Sequence, residues 1–403
     1  MAAGAWGGSA TSAAKLEELV KEYGKPDASI GDASFSVAKE ALHRPCSHTC
    51  GESGNCLAFA ARDKSGHLEP YRFDRRPVGP DDIRIQITHC GICHSDLHQI
   101  RGEWGNSKWP MVPGHEIVGV VTEVGAAVTD FKAGDHAGVG CMVDSCGECE
   151  QCKEGDEQYC PSCIFTYNST APDGTITQGG YSTHVVVKSS FAVRVAKSLP
   201  LDGAAPLLCA GITTYSPLKY FGLDKPGMAI GVVGLGGLGH MVVKWAKAFG
   251  CTVTVISTSP SKKGDALERL GAHKFVVSRS EEEMKAAAGT LHGIIDTVAA
   301  KHELAPYLPL LKTNGKYVIV GLPPDPFQMH AGVVVTRRLT VAGSMIGSIR
   351  ETQEMMDFAA EHGITCDIEK IPIEYCNQAM ERMEKNDVRY RFVLDIAGSL
   401  IAG

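Results

Sequence analysis

The chain has 403 residues, a net charge of −7 and a hydrophobic fraction of 44%, which allows two domains with ample core. An acidic balance without a long basic block speaks against nucleic acid or an anionic membrane as the main partner, and no apolar run approaches the roughly 20 residues of a spanning helix. Fifteen cysteines, an odd number gathered in metal-type clusters and apolar strands, fit a reducing compartment better than a secreted disulfide scaffold.

Residues 1–56 read as an N-terminal extension. They open on small residues (MAAGAWGGSATSAA), and KLEELVKEYG carries helical spacing. No charged n-region precedes an apolar h-region, and Glu17, Glu18 and Glu22 weaken a transit-peptide reading. Cytoplasm is the expected compartment, with an organelle left open by this extension. In HRPCSHTCGESGNC, the residues His43, Cys46, His48, Cys50 and Cys56 admit a third metal site or a redox element. An exposed extension with incidental thiols, open to oxidation, is the simpler reading.

From about residue 57 short alternating strands follow: HLEPYRFDR, DDIRIQITHC, HEIVGVVTEVG and DHAGVG, with turn residues between them. This stretch predicts an irregular, mostly β domain whose loops carry metal-type residues. Near residue 228 the rhythm becomes strand–helix–strand. MAIGVVG is a buried strand, LGHMVVKWAKAFG a helix, TVTVIST a strand, SPSKKGDALERLGA a helix and KFVVS a strand. GIIDTVA, ELAPYLPLLKT and KYVIVGLP continue the alternation, which predicts a doubly wound parallel sheet. After LTVAGSMIG, RETQEMMDFAAEHG is helical, and the last forty or so residues are expected to return to the first domain.

Two sets of metal-type residues lie in the β region. Cys146, Cys149, Cys152 and Cys160, in VDSCGECEQCKEGDEQYCPSC, can converge on one tetrahedral ion. Four thiolates make the closed zinc site of a structural lobe. The second set is open: Cys93 in HCGICHSDLH, His115 and Glu116 in VPGHEIVG, and Cys209 in APLLCAGITTY. Two thiolates and one imidazole leave a fourth position for water or substrate, as a catalytic zinc requires. Any one of these residues alone reads as core; together, beside the four-cysteine ladder, they read as a metal centre.

Gly234-Leu235-Gly236-Gly237-Leu238-Gly239 follows a strand and opens a helix. There the first glycine permits the tight turn, the second admits a pyrophosphate and the third lets helix and strand pack closely. The second strand ends in Ser257-Thr258-Ser259, followed by Lys262 and Lys263, where an NAD site usually carries a carboxylate. Hydroxyls and ammonium groups suit a 2′-phosphate, so NADP(H) is expected.

HCGICHSDLH, MVPGHEIVG, the cysteine ladder, PLLCAG and GLGGLGHMVVKWAKAFG together resemble the zinc-dependent medium-chain alcohol dehydrogenases, and among them the cinnamyl alcohol dehydrogenases, over roughly residues 65–400. The resemblance implies a GroES-like, mostly-β catalytic domain (57–209 and 347–403, discontinuous) around a Rossmann nucleotide domain with a doubly wound parallel sheet (210–346). It implies Cys93, His115 and Cys209 as catalytic zinc ligands with Glu116 as an alternating fourth, and two zinc ions per chain. Asp96 matches the carboxylate that orients the ligating histidine, and Ser95 and His98 match a proton relay. The implied reaction is reversible, NADPH-linked reduction of aldehydes to primary alcohols.

Pocket positions depart from that subgroup. Phe165 stands where Trp is common, and Trp104 where a smaller apolar residue is frequent; Gln99, Met345 and Ile346 match other lining positions. These exchanges predict a broad reductase for cinnamaldehyde-like, benzylic and medium-chain aldehydes rather than a strict monolignol enzyme. Other readings are a polyol or glutathione-adduct dehydrogenase, a zinc-free quinone reductase, disfavoured by the two zinc-type sets, and a catalytically silent zinc-stabilised binding protein. Relatives usually dimerise through the nucleotide-domain sheets, which makes TVAGSMIG a candidate edge of a homodimer.

Overall fold

The computed structural model describes residues 54–323 and 325–401, so the expectations placed on KLEELVKEYG and on His43, Cys46, His48 and Cys50 lie outside the described residues. Its first nine strands are β1 (Cys56–Ala61), β2 (Leu68–Phe73), β3 (Asp82–Gly91), β4 (Ile117–Val124), β5 (His136–Val139), β6 (Met142–Asp144), β7 (Ile164–Phe165), β8 (His184–Lys188) and β9 (Val193–Arg194). Then come β10 (Ala229–Val233), β11 (Thr252–Ser257), β12 (Lys274–Val277), β13 (Leu291–Asp296), β14 (Leu311–Ile319), β15 (Thr340–Gly343), β16 (Ile368–Pro372) and β17 (Arg391–Asp395). Cys56 is fully buried at the start of β1, so it belongs to the packed chain and not to an exposed extension.

By contact the chain divides into two units. Among the described residues, the first takes 54–152, Cys160–Leu208 and 367–401; the second takes Lys153–Tyr159 and Cys209–Cys366. The C-terminal boundary thus falls at 366/367, where the sequence suggested 346/347.

In the first unit β3 is the central strand. It pairs with β17, β4 and β8, and the sheet runs β16-β17-β3-β4-β5-β9. Ile83, Ile85 and Ile87 are fully buried, as alternation in DIRIQITHC predicts for one covered face. A Cβ on Gly119 of β4 would run into the carbonyl of Gln86 on β3, so the two strands cross where only glycine fits. From the end of β3 the chain enters helix α1 (His94–Ile100), which starts directly after Cys93.

The second unit opens on helix α2 (Ala210–Tyr220) and builds a wholly parallel sheet in the order β12-β11-β10-β13-β14-β15. The order reverses between β10 and β13, the switch point at which such sheets take nucleotides. β10 is AIGVV, nearly all buried, as a strand covered on both faces must be. Helix α3 (Gly239–Ala248) turns Met241, Val242, Val243, Trp245 and Ala246 inward. Trp245 is fully buried, donates its Nε1 hydrogen to the Gly211 carbonyl at 3.1 Å and meets Tyr215 edge-on at 5.5 Å.

Helix α4 (Ile349–His362) explains the later boundary. Ser348 and Glu351 cap its start reciprocally, and Gly363, at φ 63°, ends it in the left-handed conformation that glycine tolerates. Its Phe358 ring lies 5.0 Å from Phe249 and 5.8 Å from Tyr215, so the helix packs into the aromatic cluster of the second unit. ELAPYLPLLKT departs from the expected alternation: it forms only a turn with a 3-10 segment at Leu308–Leu310 before β14 begins. Pro306 and Pro309 supply no backbone N–H and cannot sit inside a regular helix. SPSKKGDALERLGA is helical but irregular, a 3-10 turn at Pro260–Lys262 widening to a π turn at Asp265–Arg269.

Trp245→Ala should lower the unfolding free energy by ~4 kcal/mol, the range for emptying a large aromatic site. Urea unfolding followed by circular dichroism would measure it.

Candidate active site and nucleotide turn

The end of β3 and the start of α1 set the first part of the site. Asp96, in the first turn of α1, is fully buried and accepts the Cys93 amide at Oδ2 (2.9 Å). Its Oδ1 accepts the Gly114 amide at 3.1 Å and lies 3.1 Å from Nδ1 of His115. The Tyr181 hydroxyl donates to Oδ2 at 3.3 Å. Four donors therefore converge on one buried carboxylate. Because Asp96 takes Nδ1, the His115 ring is fixed with Nε2 left for an ion. Tyr167 stacks on the same ring at 5.8 Å.

Cys93, His115, Glu116 and Cys209 each offer a ligand atom within 4.8 Å of the others. Cys209 is bonded directly to buried Leu208, and a short turn at Ala205–Leu208 carries it. Glu116 is fully buried and ion-paired to Arg391 of β17 through Oε1, while its Oε2 has no hydrogen-bond partner. Burial pushes the Glu116 carboxyl up to about 8, against the pull of the Arg391 guanidinium. Burial also presses the His115 imidazole down, but the Asp96 carboxylate overrides it and holds His115 well above its ordinary value. Two thiols and an imidazole make a donor set suited to zinc, and the orphaned Glu116 oxygen stands where it could take or yield the fourth position.

Cys146, Cys149, Cys152 and Cys160 form the second four-donor group. Cys146 Sγ lies 3.5 Å from Cys160 Sγ and 3.9 Å from Cys152 Sγ, and the Cys149 amide points at Cys146 Sγ from 3.4 Å. Backbone N–H groups of Glu148 and Cys149 pull the Cys146 thiol down to about 6, a state a metal ligand needs.

Ser95 Oγ lies 3.6 Å from Cys93 Sγ. His98 follows one turn of α1 later, its Nδ1 2.6 Å from Glu103 Oε2 and its ring 5.5 Å from that of Trp104. Gln99 accepts from Asn168 Nδ2 at 2.8 Å, and Asn168 Oδ1 accepts the Lys108 amide at 2.8 Å. Asn168 thereby ties the loop bearing Phe165 to the end of α1. Trp104 and Phe165 are exposed. Met345 and Ile346 lie in the second unit, Met345 exposed and Ile346 with φ 43°.

At the glycine turn the three positions have different surroundings. Gly234 has φ 87°, and a Cβ there would stand 2.9 Å from Val298 Cγ2. A Cβ on Gly239 would run into the Gly234 carbonyl. A Cβ on Gly236 would meet nothing within 4 Å, so that side of the turn is open space. Leu235 is buried beneath the turn, and Gly237 and Leu238 lead into α3. Ser257 is buried at the end of β11, with its Oγ accepting the Ser259 amide at 3.2 Å, and Thr258 is exposed beside it. Lys262 donates to the Leu235 carbonyl at 2.8 Å, so its ammonium group lies against the turn itself.

Sequence reading passed over Arg391, Tyr181, Tyr167 and Asn168. An arginine inside the apolar strand RFVLD was the readable sign of a buried anion; the two tyrosines and the asparagine carry no local signal.

Two family models match: alcohol dehydrogenase GroES-like domain over residues 79–197, and zinc-binding dehydrogenase over 237–361. Cinnamyl alcohol dehydrogenase 8 of Arabidopsis thaliana is 60% identical over 85% of this chain and 96% of its own length. A probable mannitol dehydrogenase of Mesembryanthemum crystallinum is 59% identical over 86% of this chain and 96% of its own. A cinnamyl alcohol dehydrogenase structure from Sorghum bicolor aligns with TM-score 0.84 at 57% identity, covering 85% of this chain and 98% of that one. The enzyme of that class from Helicobacter pylori, complexed with NADP(H), aligns with TM-score 0.79 at 41% identity, covering 85% and 99%.

The chain belongs to the zinc-dependent medium-chain alcohol dehydrogenases. Within that family it falls in the cinnamyl alcohol dehydrogenase subgroup, and it is an oxidoreductase.

In chelated protein near neutral pH, which is above its value of about 6, Cys146 should exist mainly as thiolate. It should be alkylated by iodoacetamide ahead of Cys149, whose thiol neighbouring sulfurs and burial push up although the Cys152 amide pulls it down. Peptide mass spectrometry reads the order, and below pH 5 the preference for Cys146 should fade.

Proposed function

We propose that the protein catalyses reversible, NADPH-linked reduction of cinnamaldehyde-like, benzylic and medium-chain aldehydes to primary alcohols. The observation that carries this reading is the open donor set of Cys93, His115, Cys209 and Glu116 beside a buried Asp96. Cys93, His115 and Cys209 would hold the ion, with Glu116 moving between it and Arg391. Cys146, Cys149, Cys152 and Cys160 would hold a second zinc with a structural role. When bound, the zinc supplies Lewis-acid polarisation of a carbonyl oxygen, and the nucleotide supplies hydride.

The remaining work falls to side chains. Asp96 fixes the His115 ring. Ser95 donates a proton to the product oxygen, and His98, backed by Glu103, restores it. Ser257, Thr258, Ser259 and Lys262 favour a 2′-phosphate, since no carboxylate stands at the end of β11. Gly234, Gly236 and Gly239 shape the pyrophosphate seat, with Leu235, Gly237 and Leu238 completing the turn. Gln99, Trp104, Phe165, Met345 and Ile346 would line the substrate path, and the exposed indole of Trp104 favours aryl and alkyl chains over polyols. The mannitol dehydrogenase name carried by a relative supports polyol oxidation as the second reading.

β15 is an edge strand of its sheet, which supports a homodimer formed along TVAGSMIG. Among the described residues no helix is long and apolar enough to cross a membrane, and the cytoplasm is the proposed compartment.

Initial rates with NADPH and NADH against cinnamaldehyde, benzaldehyde and a medium-chain aldehyde test the reading. NADPH preference with turnover across the panel is expected; mannitol oxidation without aldehyde reduction would favour the second reading. In the same assay Cys93→Ser should abolish turnover and His98→Ala should slow it by about 10- to 100-fold, because water partly replaces a relay.

A further inference from the structure

β13 ends on Asp296, a fully buried carboxylate that the reaction proposed above does not use. The Tyr317 hydroxyl donates to Oδ2 at 2.9 Å and the Val298 amide to Oδ1 at 3.1 Å. His302 Nε2 stands 2.7 Å from the same Oδ2, and His302 Nδ1 stands 2.9 Å from the Ala300 carbonyl oxygen. An oxygen thus stands at hydrogen-bond distance from each ring nitrogen, and the ring bridges the Asp296 carboxyl and the Ala300 carbonyl. The edges of Phe327 and Tyr307 flank it at 5.2 and 6.3 Å, and only 12% of the His302 side chain meets solvent. A contact so sheltered from water is stronger than the same contact on an open surface.

The pair closes the loop 297–301, and the first two residues of that loop form one wall of the glycine turn. Thr297 Oγ1 donates to the Val233 carbonyl at 2.8 Å, just before Gly234. Val298 Cγ2 occupies the place a Cβ on Gly234 would need, and a Cβ on Gly239 would come within 3.3 Å of Thr297 Oγ1. Gly321, on the far side of the loop, has no room for a Cβ because the Val298 carbonyl fills it. The turn therefore leans on Thr297 and Val298 at Gly234 and Gly239, and those residues are held down by the bridge from Asp296 to His302.

We propose that His302 is a positioning residue for the nucleotide: its bridge between Asp296 and Ala300 seats the 297–301 loop against Gly234 and so sets the affinity of the glycine turn for a dinucleotide. The inference rests on reading that turn as a dinucleotide site. A loop released from the latch must be ordered again on binding, and that cost appears in nucleotide affinity rather than in the hydride step.

The test is fluorescence titration of NADPH into the full-length protein, zinc-loaded and chelated, as wild type, His302→Ala, His302→Gln and Tyr317→Phe. Wild type should bind. His302→Ala should raise the NADPH Kd about tenfold in both metal states and raise the nucleotide KM in step, leaving kcat and the aldehyde KM within about twofold. His302→Gln, which can keep one donor on Asp296, should recover part of the loss, and Tyr317→Phe should show a smaller rise. An unchanged Kd in His302→Ala and His302→Gln would overturn the proposal. So would a loss spread equally over kcat and both KM values that follows a fall in Tm. Wild type that binds neither NADPH nor NADH would instead sink the dinucleotide reading itself.

Discussion

The group of Cys93, His115, Glu116 and Cys209 depends on one buried carboxyl, that of Asp96. Asp96 is out of water entirely, a placement that costs several kcal/mol unless every lone pair is met. Its donors come from separate segments: the amide that opens α1, the Gly114 amide ahead of β4, the His115 ring, and the Tyr181 hydroxyl ahead of β8. Satisfying the charge therefore draws three stretches of chain to one point. Two of the segments carry candidate donors, Cys93 and His115. Gly114 shows how tight the convergence is: at φ 106°, a Cβ there would lie 2.6 Å from the Tyr181 ring and 2.8 Å from Cys90 Sγ.

The second unit reaches its site by a different device. Its glycine turn presents backbone N–H groups at the end of a parallel strand, and shape rather than charge decides what fits. Neighbours press on Gly234 and Gly239, whereas a Cβ on Gly236 would stand in open space. Charge enters at the edge of this site, through Lys262 against the Leu235 carbonyl and through Asp296 and His302 beneath the adjoining loop. A metal centre built on electrostatic convergence and a nucleotide seat built on steric exclusion respond to different substitutions, and they can be perturbed separately.

Much of this was legible because the chemistry constrains spacing. Cys146, Cys149, Cys152 and Cys160 are close in sequence and can serve one ion only by closing a short loop, and the glycines mark their turn by position. Cys93, His115 and Cys209 are further apart; residue types beside the cysteine ladder suggested a metal set there, and the resemblance supplied their separate roles. What stayed hidden depends on distant partners. Nothing near Arg391 announces Glu116, and nothing near Tyr181 announces Asp96. Helix α4 was read correctly as a helix, but its unit is decided by where Phe358 finds Tyr215 and Phe249, which its own pattern does not encode. ELAPYLPLLKT was misplaced for a local reason, since its two prolines outweigh its apolar spacing.

The pairing of β17 with β3 sets an order of events during synthesis. Val393, Leu394 and Asp395 lie opposite Gly91, Cys90 and His89, and Arg391 on the same strand meets Glu116, 275 residues earlier in the chain. A nascent polypeptide emerging from the ribosome presents Cys93, His115 and Cys209 long before it presents Arg391. Until then Glu116 has no guanidinium beside it, and β3 has an open edge. The second unit is complete by Cys366 and can fold first, while the first unit, with Cys93, His115 and Glu116, must wait for the last strand of the chain.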